Sequence, residues 1–331
     1  MKESITLEES LSISEKIENF IKEDKNCYND IKNIIINQKI QYIVTLARGS
    51  SDCAATFSSY LFAKSLGLPT YSLPPSIITL ENSKFDFSQA LVIVITQSGL
   101  SKDLLECEAR CRSMGAKTLV ISNNLDSPIV KKANYFFNIN ADKEMGIAAT
   151  KSFILTLLCI IKLVSTIIED KKLIHKINDL PEIIFKEQKN LWDENTLNKD
   201  ILSGFILSRG MGYALSTEIS LKFKELCQEQ IEPFSSAEVM HGPKSLIGEN
   251  FKIFTISMIG KSGLHIDTSL KMIKENANFV YSIGPNNDSK YSMSYNSTKF
   301  AELDSLIIMS KFYPLIIKYS IIKGLDPDKP R

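Results

Sequence analysis

The stretch Leu91–Leu105, LVIVITQSGLSKDLL, constrains the fold of this chain more than any other. It opens with five apolar residues, Leu91–Ile95, which are mostly β-branched and do not alternate with polar residues, as is typical of a strand buried on both faces. A turn containing Gly99 follows, and apolar spacing typical of a helix begins at Leu104. Such a strand–turn–helix unit is the repeating element of parallel α/β sheets.

The turn after this strand is a candidate anion site. Backbone N–H groups at a helix N-terminus attract negative charge, and the hydroxyls of Ser98 and Ser101 add neutral donors. Open α/β sheets also bind ligands at the carboxyl ends of their strands. One interpretation is therefore a phosphate cradle, and the other is that Ser98 and Ser101 only cap the helix.

The bulk properties indicate a soluble chain of two domains. Its 331 residues are 44% apolar and 23% charged, and the net charge of +1 with no basic stripe argues against a nucleic-acid partner. The N-terminus lacks the apolar segment of a secretory signal, and the apolar stretch Phe153–Ile168 is too short for a bilayer and contains Lys162. We therefore expect a cytoplasmic protein with no membrane partner.

The six cysteines predict reduced thiols rather than disulfides or a metal site. Cys107 and Cys111 lie four residues apart on a predicted helix, a spacing that a metal pair could use. The chain has only three histidines, and none is close in sequence to this pair. No metal ion and no cofactor is expected.

Five strand candidates alternate with helices in the first half of the chain. They lie at residues 41–47, 70–73, 91–95, 116–122 and 135–140, and a long helix is predicted from about Gly146 to Ile168. This alternation predicts a doubly wound, mainly parallel sheet.

The second half repeats the pattern of the first. Arg48-Gly49 recurs as Arg209-Gly210, 161 positions later. Ser98-Gly99-Leu100 recurs as Ser262-Gly263-Leu264, with Asp267 standing for Asp103, at an offset of 164. We therefore predict two tandem doubly wound, flavodoxin-like α/β domains with parallel sheets and helices on both faces. The expected divisions are N-terminal helices at 1–37, a first domain at 38–170, a helical linker at 171–198 and a second domain at 199–331.

The two copies differ in their chemistry. The first copy carries a cluster of hydroxyl side chains, namely Ser50, Ser51, Thr96, Ser98 and Ser101. In the second copy Met211 and Gly212 stand at the positions of Ser50 and Ser51. The anion site is therefore predicted in the first copy only.

The second half offers Lys222, Glu225 and His241 instead. Lys222 and Glu225 are three residues apart on a predicted helix and share a face, whereas Lys224 points elsewhere. His241 is predicted in a tight loop with Gly242-Pro243. These residue types suit proton transfer. An exposed Lys–Glu ion pair and a structural histidine are the alternative.

Five motifs resemble those of the sugar isomerase (SIS) domain family. They are Gly49-Ser50-Ser51, Thr96-Gln97-Ser98-Gly99-x-Ser101, Glu144-x-Gly146-x-Ala148-x-Thr150-Lys151, Lys222-x-x-Glu225 and His241-Gly242-Pro243. Their order and spacing are most similar to the isomerase half of glucosamine-6-phosphate synthase and to the stand-alone, isomerase-type glucosamine-6-phosphate deaminases. The resemblance covers nearly the whole chain and implies two SIS-type domains.

The resemblance implies a binding site for a phosphorylated amino sugar. The phosphate would be held by Ser51, Thr96, Gln97, Ser98, Ser101 and the backbone near Ser50. The sugar would be lined by residues of the 147–150 segment, namely Ile147, Ala149 and Thr150.

The resemblance also implies an aldose–ketose isomerase. Glu225 would move a proton between C1 and C2 through an enediol or enolamine, Lys222 would assist it, and His241 would open the sugar ring. The histidine at this position in the family reaches into the neighbouring subunit's site, which implies a homodimer.

Three departures from the family shape the expected activity. The chain begins Met1-Lys2-Glu3 without the nucleophilic cysteine of a glutaminase domain, which favours deamination or isomerisation over synthesis. It stops at Arg331, before the lysine that forms a Schiff base in the family. Leu100 replaces the glutamate of the synthase, which suggests a different substrate.

The expected reaction is isomerisation of an amino-sugar phosphate with loss of its amine. One alternative is a deglycase acting on a fructosamine-type phosphate. Another is a sensor that binds a sugar phosphate without turning it over, although the two helices before Gln41 have no basic, DNA-binding face. The sugar itself and the direction of the reaction are left open.

Overall fold

The computed structural model describes residues 4–260, 263, 277–285 and 291–330. The chain divides into two compact units. The first unit comprises Glu15–Glu144 and Lys151–Asn178. The second comprises Met1–Ser14, Met145–Thr150 and Asp179–Arg331.

The first unit is an α/β sandwich built on five strands. Its strands are β1 (Tyr42–Leu46), β2 (Thr70–Ser72), β3 (Ala90–Thr96), β4 (Lys117–Ser122) and β5 (Tyr135–Asn138). Helix α1 (Ile5–Leu11) belongs to the second unit. The helices that follow are α2 (Ile13–Glu23, which begins just before the unit boundary), α3 (Tyr28–Asn37), α4 (Ser50–Leu66), α5 (Pro75–Thr79), α6 (Lys102–Ser113), α7 (Pro128–Lys132), α8 (Lys151–Ile167) and α9 (Lys171–Asn178).

The first sheet is wholly parallel and has the strand order β2-β1-β3-β4-β5. All seven residues of β3 are buried, as expected for a central strand covered on both faces. Helices α3 and α4 pack against α8, and α6 packs against α5 and α7, which gives two helical layers. The order of the strands reverses between β1 and β3, so the topological switch point lies at their carboxyl ends.

The second unit repeats this architecture. Its strands are β6 (Ser203–Ser208), β7 (Gln230–Ser235), β8 (Lys252–Ile256), β9 (Phe279–Gly284) and β10 (Tyr291–Ser294). Besides α1, its described helices are α10 (Leu180–Gln188), α11 (Met211–Cys227) and α12 (Ala301–Ile322), with 3-10 helices at Glu194–Thr196, Glu238–His241 and Pro243–Leu246.

The second sheet is also parallel, and its order, β10-β9-β8-β6-β7, is that of the first sheet read from the other edge. The repeat extends to single residues. Gly49 before α4 has φ 59° and ψ −134°, and Gly210 before α11 has φ 60° and ψ −139°. The prediction of tandem flavodoxin-like domains is confirmed.

Two local predictions are wrong. The long helix expected from Gly146 begins only at Lys151. The Glu144 carboxylate accepts hydrogen bonds from the amide and the hydroxyl of Ser152, and the residues before Lys151 are not helical. His241 ends a short 3-10 helix rather than lying in a loop. Of the echo Ser262-Gly263-Leu264 with Asp267, all but Gly263 lies outside the described residues.

Helix α12 is a core helix of the second unit. In the part of the chain that the structure describes, it alone is long and apolar enough to cross a membrane by length and composition. However, 83% of its most apolar window is buried, and it packs against α1, α10 and α11. Its burial on all sides explains its apolar character without a membrane.

Cys107 and Cys111 of α6 lie in the core of the first unit, among apolar residues of β3, β4 and α7. Burial raises the pKa of each thiol to about 12. Both side chains are therefore protonated at neutral pH and contribute apolar packing.

Candidate functional site

The hydroxyl side chains of the first unit lie on two turns at its switch point. Ser50 and Ser51 form the start of α4, directly after β1, and both are half-buried. Thr96 ends β3, and Ser101 is the N-cap residue of α6. Because β1 and β3 are paired neighbours, both turns and both helix N-termini are at the same edge of the sheet. This arrangement suits an anion.

The turn from Gln97 to Ser101 is organised by its own hydroxyls. Thr96 Oγ1 accepts a hydrogen bond from Gly99 N at 3.2 Å, and Ser98 Oγ accepts one from Leu100 N at 3.3 Å. Ser101 makes no side-chain cap bond to α6. The capping alternative therefore fails for Ser101, and Ser98 shapes the turn instead of capping the helix.

Gly99 is required by the geometry of this turn. Its φ of +64° lies in the left-handed region, which disfavours residues with a Cβ atom. A Cβ at this position would lie 2.3 Å from Ser127 Oγ and 2.4 Å from Ser127 Cβ. The turn can thus pack against the start of α7 only with glycine.

Arg48 is a cation at this edge that the sequence did not assign to the site. It follows β1 and forms a salt bridge with Asp103 in the first turn of α6, and Asp103 also accepts a hydrogen bond from Thr79 at 3.1 Å. The pair ties the two turns together and offsets the negative charge of Asp103 near the helix N-terminus. The sequence indicated this residue in one way, because Arg48-Gly49 recurs as Arg209-Gly210.

Lys222 and Glu225 are in direct contact on α11. Lys222 Nζ lies 2.6 Å from Glu225 Oε2 and 3.5 Å from Glu218 Oε1. The side chains of Lys222 and Glu218 are fully buried, whereas that of Glu225 is 36% exposed. The contact is therefore not an ordinary surface ion pair. A buried ammonium with two carboxylates, one of them open to solvent, can support proton transfer at the exposed carboxylate.

Glu218 and Tyr313 are further members of this cluster that sequence reasoning missed. The hydroxyl of Tyr313, on α12, donates to Glu218 Oε1 at 3.0 Å, and both side chains are fully buried. Glu218 and Lys222 are four residues apart on one helix, and this spacing predicts that their side chains are neighbours. The contact with Tyr313 spans 95 residues and has no local signature.

His241 lies in the same unit, exposed at the end of a 3-10 helix that packs against β7. Gly242 follows with φ +143°, so the chain turns sharply after the histidine. An exposed imidazole is accessible to a ligand or to a second subunit.

The predicted sugar-lining segment is irregular and belongs to the second unit. Ile147 is 70% exposed, Ala149 is half-buried and Thr150 is fully buried. The segment leads into α8, where Lys151 donates to Lys143 O at 2.9 Å. Of the three residues, Ile147 and Ala149 are thus accessible to a ligand.

The chain is similar to known proteins in sequence and in fold. Residues 34–165 match the model of the SIS domain. The chain is 29% identical over 308 residues to a glutamine–fructose-6-phosphate aminotransferase (isomerizing) of Methanothermobacter thermautotrophicus. That alignment covers 88% of this chain and 51% of the relative, so the chain spans about half the length of that relative.

Solved structures match over nearly the full length. A candidate phosphosugar isomerase from Silicibacter pomeroyi superposes with a TM-score of 0.87 at 26% identity, covering 98% of this chain and 100% of the other. A glucosamine-6-phosphate deaminase from Thermotoga maritima superposes with a TM-score of 0.78 at 20% identity, covering 99% and 97%. The second likeness shows a shared fold.

Proposed function

Because residues 34–165 match the SIS domain, we propose that the chain belongs to the sugar isomerase (SIS) domain family and is a phosphosugar isomerase that also removes the amine of its substrate. The substrate is an amino-sugar phosphate of the glucosamine-6-phosphate type. The products are the corresponding ketose phosphate and ammonia.

In this proposal the phosphate binds at the switch point of the first unit. The donors are the hydroxyls of Ser51, Ser98 and Ser101, the side chains of Thr96 and Gln97, and the backbone amide near Ser50. The N-termini of α4 and α6 add favourable dipoles. Binding energy from the phosphate, which does not react, serves to position the sugar carbons.

The chemistry is a proton transfer followed by hydrolysis. His241 assists opening of the ring, and the Glu225 carboxylate takes the proton from C2 of the open-chain amino aldehyde and returns it to C1. This leaves a C2 imine, which water hydrolyses to the ketone and ammonia. Lys222 stabilises the negative charge that develops on oxygen during the transfer.

The contact between Lys222 and Glu225 carries the proposal. A fully buried lysine costs several kcal/mol of desolvation unless it is paired, so such an arrangement is seldom kept for surface charge alone. Here Glu218 and Glu225 both pair with Lys222, and only Glu225 is accessible. A partly exposed carboxylate held beside a fixed cation can accept a proton from a bound sugar.

The proposal also covers the oligomeric state and the cellular compartment of the protein. The exposed position of His241 suits a homodimer in which this histidine enters the partner's site. The reduced, buried thiols of α6 suit a cytoplasmic protein.

The test is turnover of a panel of sugar phosphates in D2O. Glucosamine-6-phosphate, glucose-6-phosphate and phosphorylated ketosamines are each incubated with the protein. Ammonia is measured enzymatically, and deuterium at C1 and C2 is measured by NMR. Release of ammonia from glucosamine-6-phosphate with deuterium exchange supports the proposal.

Other results identify the alternatives. Release of an amino acid from a ketosamine phosphate identifies a deglycase and refutes the deaminase. Binding of a sugar phosphate without exchange or product identifies a sensor and refutes the enzyme.

A further inference from the structure

A carboxylate of α1 holds the start of the segment that lines the proposed sugar site. Glu9 Oε1 accepts a hydrogen bond from Met145 N at 2.7 Å, and Glu9 Oε2 accepts one from Gly146 N at 2.9 Å. Two charge-assisted bonds from consecutive amides fix both the position and the orientation of this peptide. Glu9 is only 8% exposed, so water competes weakly for these bonds.

Gly146 fits beneath α1 because it has no side chain. A Cβ atom there would lie 2.8 Å from Thr6 Oγ1 and 3.1 Å from Glu9 Oε2. The backbone of the segment therefore packs directly on two residues of α1. Any larger residue at 146 forces a shift of the segment or of the Thr6 and Glu9 side chains that anchor it.

Helix α1 is itself fixed by Asp328 near the carboxyl end of the described chain. Asp328 Oδ1 accepts from Thr6 N at 2.9 Å and from Thr6 Oγ1 at 2.7 Å, and Oδ2 accepts from Ile5 N at 3.0 Å. These bonds satisfy amides that the first turn of a helix leaves unpaired. Thr6 thus bonds to Asp328 and also lies next to Gly146.

We infer that Glu9 is a positioning residue for the sugar, because it sets the path of the segment that carries Ile147 and Ala149. The inference rests on the proposed function, which gives this segment its sugar-lining role. The segment has no regular secondary structure beyond Gly146, and Ile147 is 70% exposed. Its shape before binding therefore depends on its anchors, and a fixed shape favours affinity.

The experiment compares Glu9→Gln with Glu8→Gln, a control on the same helix whose side chain is exposed. Glutamine turns one acceptor into a donor that faces a backbone N–H, so one bond is lost. We expect the KM for glucosamine-6-phosphate to rise about tenfold while kcat changes far less. Without substrate, trypsin should cleave after the exposed Lys143 faster in Glu9→Gln than in Glu8→Gln.

Gly146→Ala is a second variant that leaves the carboxylate intact. Its control is Gly248→Ala, where a Cβ would meet nothing within 4 Å. Gly146→Ala should raise KM and the rate of cleavage after Lys143, and Gly248→Ala should change neither. If Gly146→Ala and Glu9→Gln both raise KM, the cause is the contact between α1 and the segment rather than the charge of Glu9.

The outcomes separate this inference from the proposed function. If the wild-type protein turns over glucosamine-6-phosphate and neither variant raises KM, the inference is wrong and the proposed function stands. Faster cleavage with an unchanged KM also refutes it, because the anchor would then serve stability alone. If the wild-type protein turns over no sugar phosphate, both the proposed function and this inference are wrong.

Discussion

The ammonium group of Lys222 lies 2.6 Å from the Glu225 carboxylate, and the lysine is fully buried while the glutamate is 36% exposed. One partner is thus sealed in the protein and the other faces outward. The second carboxylate, Glu218, is held in place by the hydroxyl of Tyr313. Tyr313 of α12 therefore supports the buried side of the cluster, and Glu225 is accessible to solvent.

Lys222→Met should destabilise the protein strongly. Removing the ammonium leaves the buried Glu218 without its cation, which costs about 3–5 kcal/mol. Urea denaturation measures the loss, and Lys224→Met on the exposed side of the same helix is the control. Adding Glu218→Gln should restore part of the lost stability. Equal stability of the two single variants would refute the role of the buried pair.

Glu225→Gln should abolish turnover while binding persists. Loss of a general base lowers kcat by about 10²- to 10⁴-fold. Calorimetry with the sugar phosphate should give nearly the wild-type affinity, since the phosphate donors are unchanged. Glu232→Gln, an exposed change on β7, serves as the control. Full turnover in Glu225→Gln would disprove the proposed mechanism.

Ser101→Ala should weaken phosphate binding without loss of stability. The side chain of Ser101 makes no cap bond, so its removal leaves the fold intact. A hydrogen bond to a charged group contributes about 1.5–3 kcal/mol, which corresponds to a roughly 10- to 100-fold rise in Kd. Calorimetry measures the Kd, with the exposed Ser113→Ala as a control. Unchanged affinity would remove Ser101 from the phosphate site.

Gly99→Ala should cost far more stability than Gly67→Ala. Both glycines have positive φ, of +64° and +67°, so both variants carry about 1–2 kcal/mol of backbone strain. Only at Gly99 would the new Cβ collide with Ser127, whereas the space at Gly67 is open. Thermal unfolding of both variants tests the difference. Adding Ser127→Gly should relieve the collision, and no relief would contradict this account.

Asp328 should make stability depend on acid pH. Partial burial alone would raise the pKa of this carboxyl group, but hydrogen bonds from Thr6, Ser4 and Ile5 outweigh it and lower the pKa. The stabilisation by the carboxylate is thus complete above about pH 4 and is lost as the pH falls through the lowered folded-state pKa.

The variant Asp328→Asn should lower the free energy of unfolding at neutral pH by about 1 kcal/mol, as for loss of a helix cap. The difference from the wild type should shrink below pH 4. Asp200→Asn, at an exposed position, is the control. A difference that stays constant from pH 7 to pH 2.5 would show that the charge of Asp328 is not responsible.

The central strands were predictable because burial on both faces leaves a continuous apolar run. β3 and β8 are buried at every residue, and β3 was predicted at residues 91–95, within one residue of each of its bounds. The edge strand β7 was not predicted, because polar residues interrupt its apolar ones and it contains Pro233, which an edge strand tolerates. Helix α12 is buried all round and so lacks the amphipathic period that identifies a helix.

Within the second unit, the candidate site was predictable where its contacts are local. Lys222 and Glu225 are three residues apart, so a helix brings them together. Glu9 contacts Gly146 across 137 positions, at the point where the sequence predicted the start of a long helix. A single sequence carries no signal for such a bond, because either partner alone resembles an ordinary surface residue.

Gly49 and Gly210 hold their turns in nearly the same backbone conformation, although hydroxyl side chains follow only the first. The conformation of this turn therefore depends on the glycine and not on the hydroxyl residues after it. In a chain built of two copies, the same main-chain turn can carry different side chains and hence different chemistry.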